Sequence, residues 1–210
     1  MSLWGRVFAA GYEHVVERSE RAGLAERRRR LLTDAGGRVL EVGPGPAMNL
    51  RHYPAAVTEL VLAEPEEPMA RRLERKLAAA GHAGAVVRAP AEHLPFEDDA
   101  FDVAVSTFVL CTVDDPDRAL AELARVLRPG GLLLLMEHVR GEDGSRIAQW
   151  QDRLERPWHW FAHGCHPNRR TAELLEGSPL FEVEWLAADR MPMAAPLVQP
   201  MIRGRARARG

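Results

Sequence analysis

A chain of 210 residues with 46% hydrophobic content is long enough for one sizeable core and too short for two full domains. Its formal net charge of -2 gives no global attraction to nucleic acid or to an acidic membrane, and its two cysteines, Cys111 and Cys165, exclude a disulfide framework and match a reducing compartment. Trp4, Val7, Phe8 and Tyr12 near the start are not embedded in a continuous apolar run, so the expectation is a cytoplasmic protein without signal peptide or integral membrane segment.

Residues 2 to 32 lack proline and space Leu3, Val7, Phe8, Tyr12, Val15 and Val16 close to a helical period, which predicts an amphipathic helical arm. Its run Arg27 to Arg30 reads as a solvated helix face, and the alternating Arg203, Arg205, Arg207 and Arg209 read as a frayed terminus. Gly36-Gly37 ends the arm, and a first strand runs to Val42. Gly43-Pro44-Gly45 then turns the chain sharply, with glycines that let backbone amides approach a ligand, while Ala47 stands where dinucleotide folds want a third glycine. Asn49, Leu50, His52 and Tyr53 follow as a short helix stopped by Pro54. Glu59 to Ala63 is a second apolar strand, and Glu64 at its tip, 21 residues beyond Gly43, suits a carboxylate that accepts hydrogen bonds from ribose hydroxyls.

Pro65 and Pro68 open a helix with Met69, Leu73 and Leu77 four apart, closed by Gly81. A strand at Ala85 to Arg88 leads through Ala89 to Phe96 and the acidic turn Glu97-Asp98-Asp99 into a fourth strand, Phe101 to Ser106. Asp114 to Asp117 cap a helix with Ala119, Leu120, Leu123, Val126 and Leu127 on one face; Arg128-Pro129-Gly130-Gly131 ends it, and Leu132 to Met136 is a fifth strand leaving at Glu137-His138. Strand and helix alternate throughout, so the fold class is α/β: a Rossmann-like, doubly wound, largely parallel seven-stranded sheet with helices on both faces and ligands beyond the carboxyl ends of the strands. Residues 141–176 form a helical insert rich in Trp and His, and two last strands follow at Phe181 to Leu186 and Leu197 to Ala206. The expected organisation is a single domain over 1–210: arm 1–35, cofactor-binding core 36–140, substrate-cap insert 141–176 and closing strands 177–210.

Glu41-x-Gly43-x-Gly45, Glu64, Ala91-Glu92-x-Leu94-Pro95-Phe96, Phe101-Asp102 and Val126-Leu127-Arg128-Pro129-Gly130-Gly131 together, in this order and spacing, resemble the class I S-adenosylmethionine-dependent methyltransferases. Leu110-Cys111-Thr112-Val113, Met136-Glu137-His138-Val139, Trp150-Gln151, Pro157-Trp158 and Gly164-Cys165 with Arg169 downstream are similar to the branch that contains the alkyl thiol S-methyltransferases. Ubiquinone/menaquinone C-methyltransferases and phospholipid N-methyltransferases share the same core. The resemblance implies S-adenosyl-L-methionine as cofactor, S-adenosyl-L-homocysteine as product, and a small, rather apolar acceptor, thiol first; N- or C-methylation of a lipid-like or quinone-like acceptor, or a non-catalytic cofactor-binding protein, are the alternatives. It also implies Glu41 near the methionine amino group, Gly43, Pro44 and Gly45 beneath methionine and ribose, Glu64 on the ribose, Pro65 beside the adenine, Ala91 and Glu92 on the adenine edge, and Thr107 with Leu110 behind it at the methionine end. Ala47 for a third glycine and Pro90 for an acidic or amide residue depart from the family pattern; the first adds one methyl, and the second leaves Glu92 as the side-chain partner for adenine.

Methyl transfer from a sulfonium is an in-line displacement, so the protein must align the nucleophile, exclude water and accept a proton. His138, at the exit of the fifth strand, is the candidate general base or thiolate partner, with capping or packing as its other reading. Asn49 and Tyr53 either contact substrate or cap their helix. Cys111 and Cys165 belong to stretches facing the expected pocket and are read as packing, redox-sensitive or thiol-exchanging. His159, His163 and His166 would share one face if helical, but Gly164 and Pro167 break the helix; the expectation is no metal and a substrate-pocket wall of Trp158, Trp160, Phe161 and His166. The arm and the insert would form an apolar lid, which implies a small-molecule substrate and no nucleic acid, and Trp and Phe beside arginines permit peripheral membrane contact. Oligomeric state is open.

Overall fold

Four apolar runs, at Val39 to Val42, Leu60 to Ala63, Val103 to Thr107 and Leu133 to His138, are buried residue after residue, as strands covered on both faces must be. In the computed structural model, which describes residues 17–162 and 164–210, these become the centre of one seven-stranded sheet ordered β3-β2-β1-β4-β5-β7-β6. The strands are β1 (Gly37–Val42), β2 (Val57–Ala63), β3 (Gly84–Val87), β4 (Phe101–Thr107), β5 (Leu127–His138), β6 (Phe181–Arg190) and β7 (Pro200–Ala208). β1 to β5 pair in parallel, and β7 inserts antiparallel between β5 and β6. Because β1 lies between β2 and β4, the chain reverses its direction of growth there, and the crevice outside the carboxyl ends of β1 and β4 is where such a sheet opens to a ligand.

Neighbouring strand residues feed opposite layers. Leu40, Val61 and Leu133 join Leu110, Leu120 and Leu123 on one face, whereas Val39, Leu60 and Leu134 join Leu24, Leu31 and Leu73 on the other. The helices are α1 (Ala25–Leu31), α2 (Glu67–Ala80), α3 (Pro116–Val126), α4 (Arg146–Phe161) and α5 (Thr171–Gly177). Their ends follow local chemistry: α2 starts with Pro68 in its first turn and stops at Gly81, whose φ of 73° is left-handed; Asp115 and Ser145 accept backbone N–H bonds from Arg118 and Ala148 at the starts of α3 and α4.

Several boundaries differ from the sequence reading. β5 begins at Leu127: Arg128 to Gly131 stays within the strand through an irregularity in the β4–β5 register, with Gly130 at a left-handed φ of 78°, instead of forming a separate turn. β3 begins one residue earlier, β6 extends to Arg190, and β7 spans Pro200–Ala208. The first part of the helical arm, with Leu3 to Val16, lies outside the described residues. Its described part is broken by a wide π-type turn at Glu20–Leu24 in which Gly23 takes a φ of 115°, and α1 follows. The arginine tail is no frayed end: alternation puts Arg203, Arg205 and Arg207 on one face of β7, where they meet Asp189 at 2.8 Å, Asp34 at 2.8 Å and Glu184 at 2.8 Å. Among the described residues, no helix is long and apolar enough to cross a membrane.

The segment from Ala89 to Phe96 has no regular structure of its own and is clipped to α3. Arg125 donates to the carbonyls of Phe96 and Leu94 at 2.7 and 2.8 Å, while Glu122 accepts from Leu94 N at 2.8 Å and pairs with Arg125. Hydrogen bonding from Arg125 holds the Glu122 carboxyl down at about 2, below its ordinary 4.5. A depressed carboxyl contributes stability above its unfolded pKa and loses it as pH falls toward the folded one. Urea unfolding of the wild type is therefore expected to weaken between about pH 4.5 and 2 through this clip, and Glu122→Gln should show lower stability at pH 7 and a shallower acid slope in that window. An unchanged slope would remove the clip from the account.

Candidate active site

At the tip of β1 the backbone turns through Gly43 (φ 52°) and Gly45 (φ 50°). A Cβ on Gly43 would stand 2.6 Å from Val109 Cγ2, while one on Gly45 would meet nothing closer than 3.9 Å, so the face above Gly45 is open to close approach. Ala47 has a φ of 62°, so the missing third glycine carries a left-handed backbone as well as an extra methyl. Beside this turn Glu64 is 6% exposed at the end of β2; it accepts hydrogen bonds from Glu66 N, at 3.1 Å, and from the Gly45 backbone, and burial pushes its carboxyl up against those bonds. Pro65 follows on the surface. Ala91 is buried on the clipped segment, and Glu92 Oε1 accepts from Asp114 N at 2.9 Å, tying that segment to the start of α3.

Behind the turn lies a buried polar network. Glu41, 1% exposed, accepts from Asn49 Nδ2 at 2.8 Å and from the Tyr53 hydroxyl at 2.7 Å. Asn49 Nδ2 also reaches Thr107 Oγ1 at 3.0 Å, and Arg28 Nη1 donates to Asn49 Oδ1 at 2.8 Å and Thr107 Oγ1 at 3.2 Å. Arg28 Nε in turn pairs with buried Glu20 at 2.7 Å. Burial raises the Glu41 carboxyl despite its two donors, and burial followed by the Glu41 charge drives the Tyr53 hydroxyl well above its ordinary value. Asn49 and Tyr53 thus serve Glu41, and Asn49 makes no side-chain cap bond to its short helix. Arg28 is the residue the sequence reading assigned to a solvated face. The signal was present: Leu24, Arg28, Leu31 and Leu32 share a helical period, so an arginine sits on the buried stripe.

A second group forms beyond β4 and β5. Phe108 leaves β4 with a φ of 61°, a strained value for a bulky residue, and stacks on His138 with ring centroids 5.7 Å apart. Arg28 lies over the other partner of that stack, 5.4 Å from the Phe108 centroid. Glu137 Oε1 accepts from Ser106 Oγ at 2.7 Å and Val109 N at 3.1 Å, fixing the loop that carries Leu110 and Cys111. His138 Nε2 lies 3.4 Å from Cys111 Sγ and 3.6 Å from Cys165 Sγ, and Trp158 Nε1 donates to Cys165 Sγ at 3.2 Å. Hydrogen bonding from Cys111, with help from His138 and Trp158, outweighs burial and holds the Cys165 thiol at about 4; burial pushes Cys111 far up. Burial opposes the charged form of His138, but the Cys165 sulfur and Glu137 carboxylate outweigh it and its pKa is raised.

His138, Cys111, Cys165 and Trp158 therefore come together in the fold. His166 does not join them: its Nδ1 lies 2.7 Å from Glu155 Oε1 and its ring stacks on His159 at 4.4 Å. Those two histidines meet across the turn after α4 and not along one helical face, because α4 ends at Phe161; His163 lies outside the described residues. Trp160, expected in the pocket wall, is 74% exposed.

Residues 40–135 match the family model for a methyltransferase domain. The chain is 35% identical over 180 residues to human thiol S-methyltransferase TMT1B, a match covering 83% of this chain and 73% of that protein. It is 40% identical over 107 residues to the ubiquinone/menaquinone biosynthesis C-methyltransferase UbiE of Vibrio vulnificus, covering 49% of this chain and 41% of that one. A solved S-adenosylmethionine-dependent methyltransferase from Mesorhizobium loti shares the fold with a TM-score of 0.62 at 23% identity, over 87% of this chain and 96% of that one.

Because Arg28 is paired and buried, removing it strands Glu20 and unties Asn49 and Thr107. Arg28→Ala is expected to lower urea stability by about 3–5 kcal/mol, as breaking one side of a buried pair does. The Glu20→Gln/Arg28→Met double variant should recover part of that loss, since Glu20 is no longer left as a stranded charge. Equal losses in both would mean that packing, not the pair, carries the effect.

Proposed function

Since this chain belongs to the class I S-adenosylmethionine-dependent methyltransferases, in the branch of the thiol S-methyltransferases, we propose that it methylates the sulfur of a small, apolar thiol within one domain spanning 1–210. The observation that carries the reading is the buried group of His138, Cys111, Cys165 and Trp158 beyond the β5 tip. Bound S-adenosylmethionine supplies an electrophilic methyl group on a sulfonium. The open face above Gly45 and the buried Glu64 carboxylate beside it fit such a cofactor: a close backbone approach next to an acceptor suited to ribose hydroxyls. Gly43, Pro44, Gly45, Glu64, Pro65, Ala91 and Glu92 would hold its nucleoside side, and Glu41, Thr107 and Leu110 its methionine end. Glu41 reaches that end with Asn49 and Tyr53 as its supports.

The chain's own contribution is alignment, dryness and a place for a sulfur anion. Alignment in a preformed site supplies about 7–11 kcal/mol in favourable systems. Cys111, Cys165 and His138 are each at most 8% exposed, so charges there act in a water-poor setting. Trp158 already directs its indole N–H at the Cys165 sulfur, with His138 Nε2 3.6 Å from the same atom, and we assign His138 as the partner that holds the acceptor sulfur's site. A quinone-like acceptor is the second reading, supported by the UbiE likeness; it gives the cysteine and histidine group no task. The proposal includes a cytoplasmic location and no nucleic-acid partner, in keeping with the net charge of -2. Exposed Trp150, Trp160 and Phe161 on α4 leave room for peripheral membrane contact.

The test is S-adenosylhomocysteine release from a matched panel of small apolar thiols, amines, phenols and a quinol. Turnover is expected for thiols alone, with His138→Ala losing about 10- to 150-fold in kcat at unchanged S-adenosylhomocysteine affinity, the worth of one hydrogen bond to a charged group. Turnover on the quinol with none on thiols would overturn the reading. For the cofactor side, Glu64→Ala should weaken S-adenosylhomocysteine binding by about 10- to 150-fold in calorimetry, on the same scale; full-strength binding would remove Glu64 from the ribose.

A further inference from the structure

We propose that Cys111, His138 and Cys165 bind a zinc-class divalent cation, and that the acceptor thiol completes its coordination. This rests on the thiol reading above and states how the site would activate that thiol.

The three ligands come from three separate elements: the loop after β4, the end of β5 and the turn after α4. Convergence from positions 27 residues apart in each case (111 to 138, 138 to 165) is not a by-product of one helix or strand periodicity. Two sulfurs and one imidazole form the donor set that selects zinc-class ions over calcium or magnesium. The distances also match. A tetrahedral ion with bonds of about 2.3 Å to sulfur and about 2.0–2.1 Å to nitrogen separates those atoms by about 3.5 Å along each edge, and His138 Nε2 stands 3.4 and 3.6 Å from the two sulfurs. All three ligand atoms lie within 4.8 Å of one another.

The surroundings hold the three ligands in place, while the buried His138 Nδ1 has no hydrogen-bond partner among the described residues. Trp158 Nε1 donates to Cys165 Sγ at 3.2 Å, Phe108 stacks on the His138 ring and sets its plane, and His166 N bonds the Cys111 carbonyl at 2.7 Å, locking the two cysteine-bearing segments together. Among the described residues the group contains three ligands, not the four of a closed structural site, which leaves one position for an exogenous ligand. A thiol entering it would release its proton to solvent and bind as thiolate. With two cysteine thiolates already offsetting the ion's double charge, that third sulfur would carry excess negative charge and remain nucleophilic. A new S–C bond to the methyl forms as the sulfonium C–S bond breaks, and the neutral thioether, a weaker ligand than thiolate, departs.

A second cluster, Glu155, His159 and His166, also has its ligand atoms within 4.8 Å. It is harder in donor type, and Glu155 and His166 already satisfy each other. It therefore serves as the control.

The experiment is elemental analysis of the 210-residue chain purified from zinc-supplemented medium, followed by exchange to cobalt(II) and absorption spectroscopy. One equivalent of zinc per chain is expected. The cobalt form should show a thiolate-to-cobalt charge-transfer band and tetrahedral ligand-field bands, lost in Cys111→Ser and Cys165→Ser and retained in His159→Ala. Phenylmethanethiol added without S-adenosylmethionine should shift the ligand-field bands, a readout independent of turnover. Absence of a thiolate band in the wild type overturns the site whatever the variants do, and loss of the metal in His159→Ala assigns it to the other cluster and overturns it too. Ligand-field bands unmoved by saturating thiol overturn acceptor coordination. Full thiol turnover by metal-stripped protein overturns the inference while leaving the thiol reading standing; no turnover on any thiol by protein carrying the metal would instead sink that reading.

Discussion

A carboxylate enclosed at the carboxyl end of a central strand must be paired or hydrogen-bonded, and Glu41 at the end of β1 imposes that requirement on everything around it. Asn49 and Tyr53 satisfy its two oxygens, which fixes the path of the chain after the glycine turn and so the position of the turn itself. Asn49 needs a partner for its own carbonyl oxygen and finds Arg28; Arg28 needs a counter-charge and finds Glu20. The helical arm is thereby drawn against the centre of the sheet by a polar requirement, not only by Leu24 and Leu31. Thr107 closes the circuit from β4, so the two strands that flank the opening of the sheet are cross-linked through the same few atoms.

β5 solves a related problem on the other side of the crevice. Successive residues of a strand face opposite ways, and Glu137 and His138 use that alternation for two separate tasks. Glu137 turns toward β4, where Ser106 and the Val109 amide hold the loop that brings Cys111 forward. His138 turns toward Cys111 and Cys165. A one-residue slip of β5 would exchange the two and destroy both arrangements, and pairing with β7 along the whole stretch from Leu132 to His138 fixes the register. The antiparallel strand that ends the chain therefore contributes to the site without supplying a residue to it. The arginines of β7 belong to the same device, since their acidic partners on β6 and at Asp34 hold that strand in place.

What could be read from the sequence was what local chemistry encodes. Apolar runs mark the strands, prolines and glycines mark the helix limits, and Gly43, Gly45 and Glu64, the residues of the proposed cofactor side, stand out because a tight turn and a strand-tip acid are properties of a few consecutive residues. Arg28 is hidden in the sequence because a run of four arginines looks solvated unless the helical stripe is followed through it. The β7 arginines were missed because alternation along a terminal strand counts only once its neighbour is known to present acids. Composition alone puts Trp160 and His166 in the pocket wall, yet Trp160 sits on the exposed side of α4 and the chain beyond Phe161 brings His166 to Glu155.

The division between legible and illegible parts follows the chemistry of the two halves. The cofactor half needs backbone amides and one carboxylate, which a continuous stretch can provide, so its residues keep a fixed spacing. The proposed acceptor half is assembled from a loop, a strand end and a turn that are distant in the chain and share no periodicity. Only the tertiary fold brings Cys111, His138 and Cys165 within reach of one another. An insert hung on the strand-end side of such a sheet can change its acceptor chemistry while β1, its turn and Glu64 stay as they are, which is why the same core can serve acceptors as different as a thiol and a quinone.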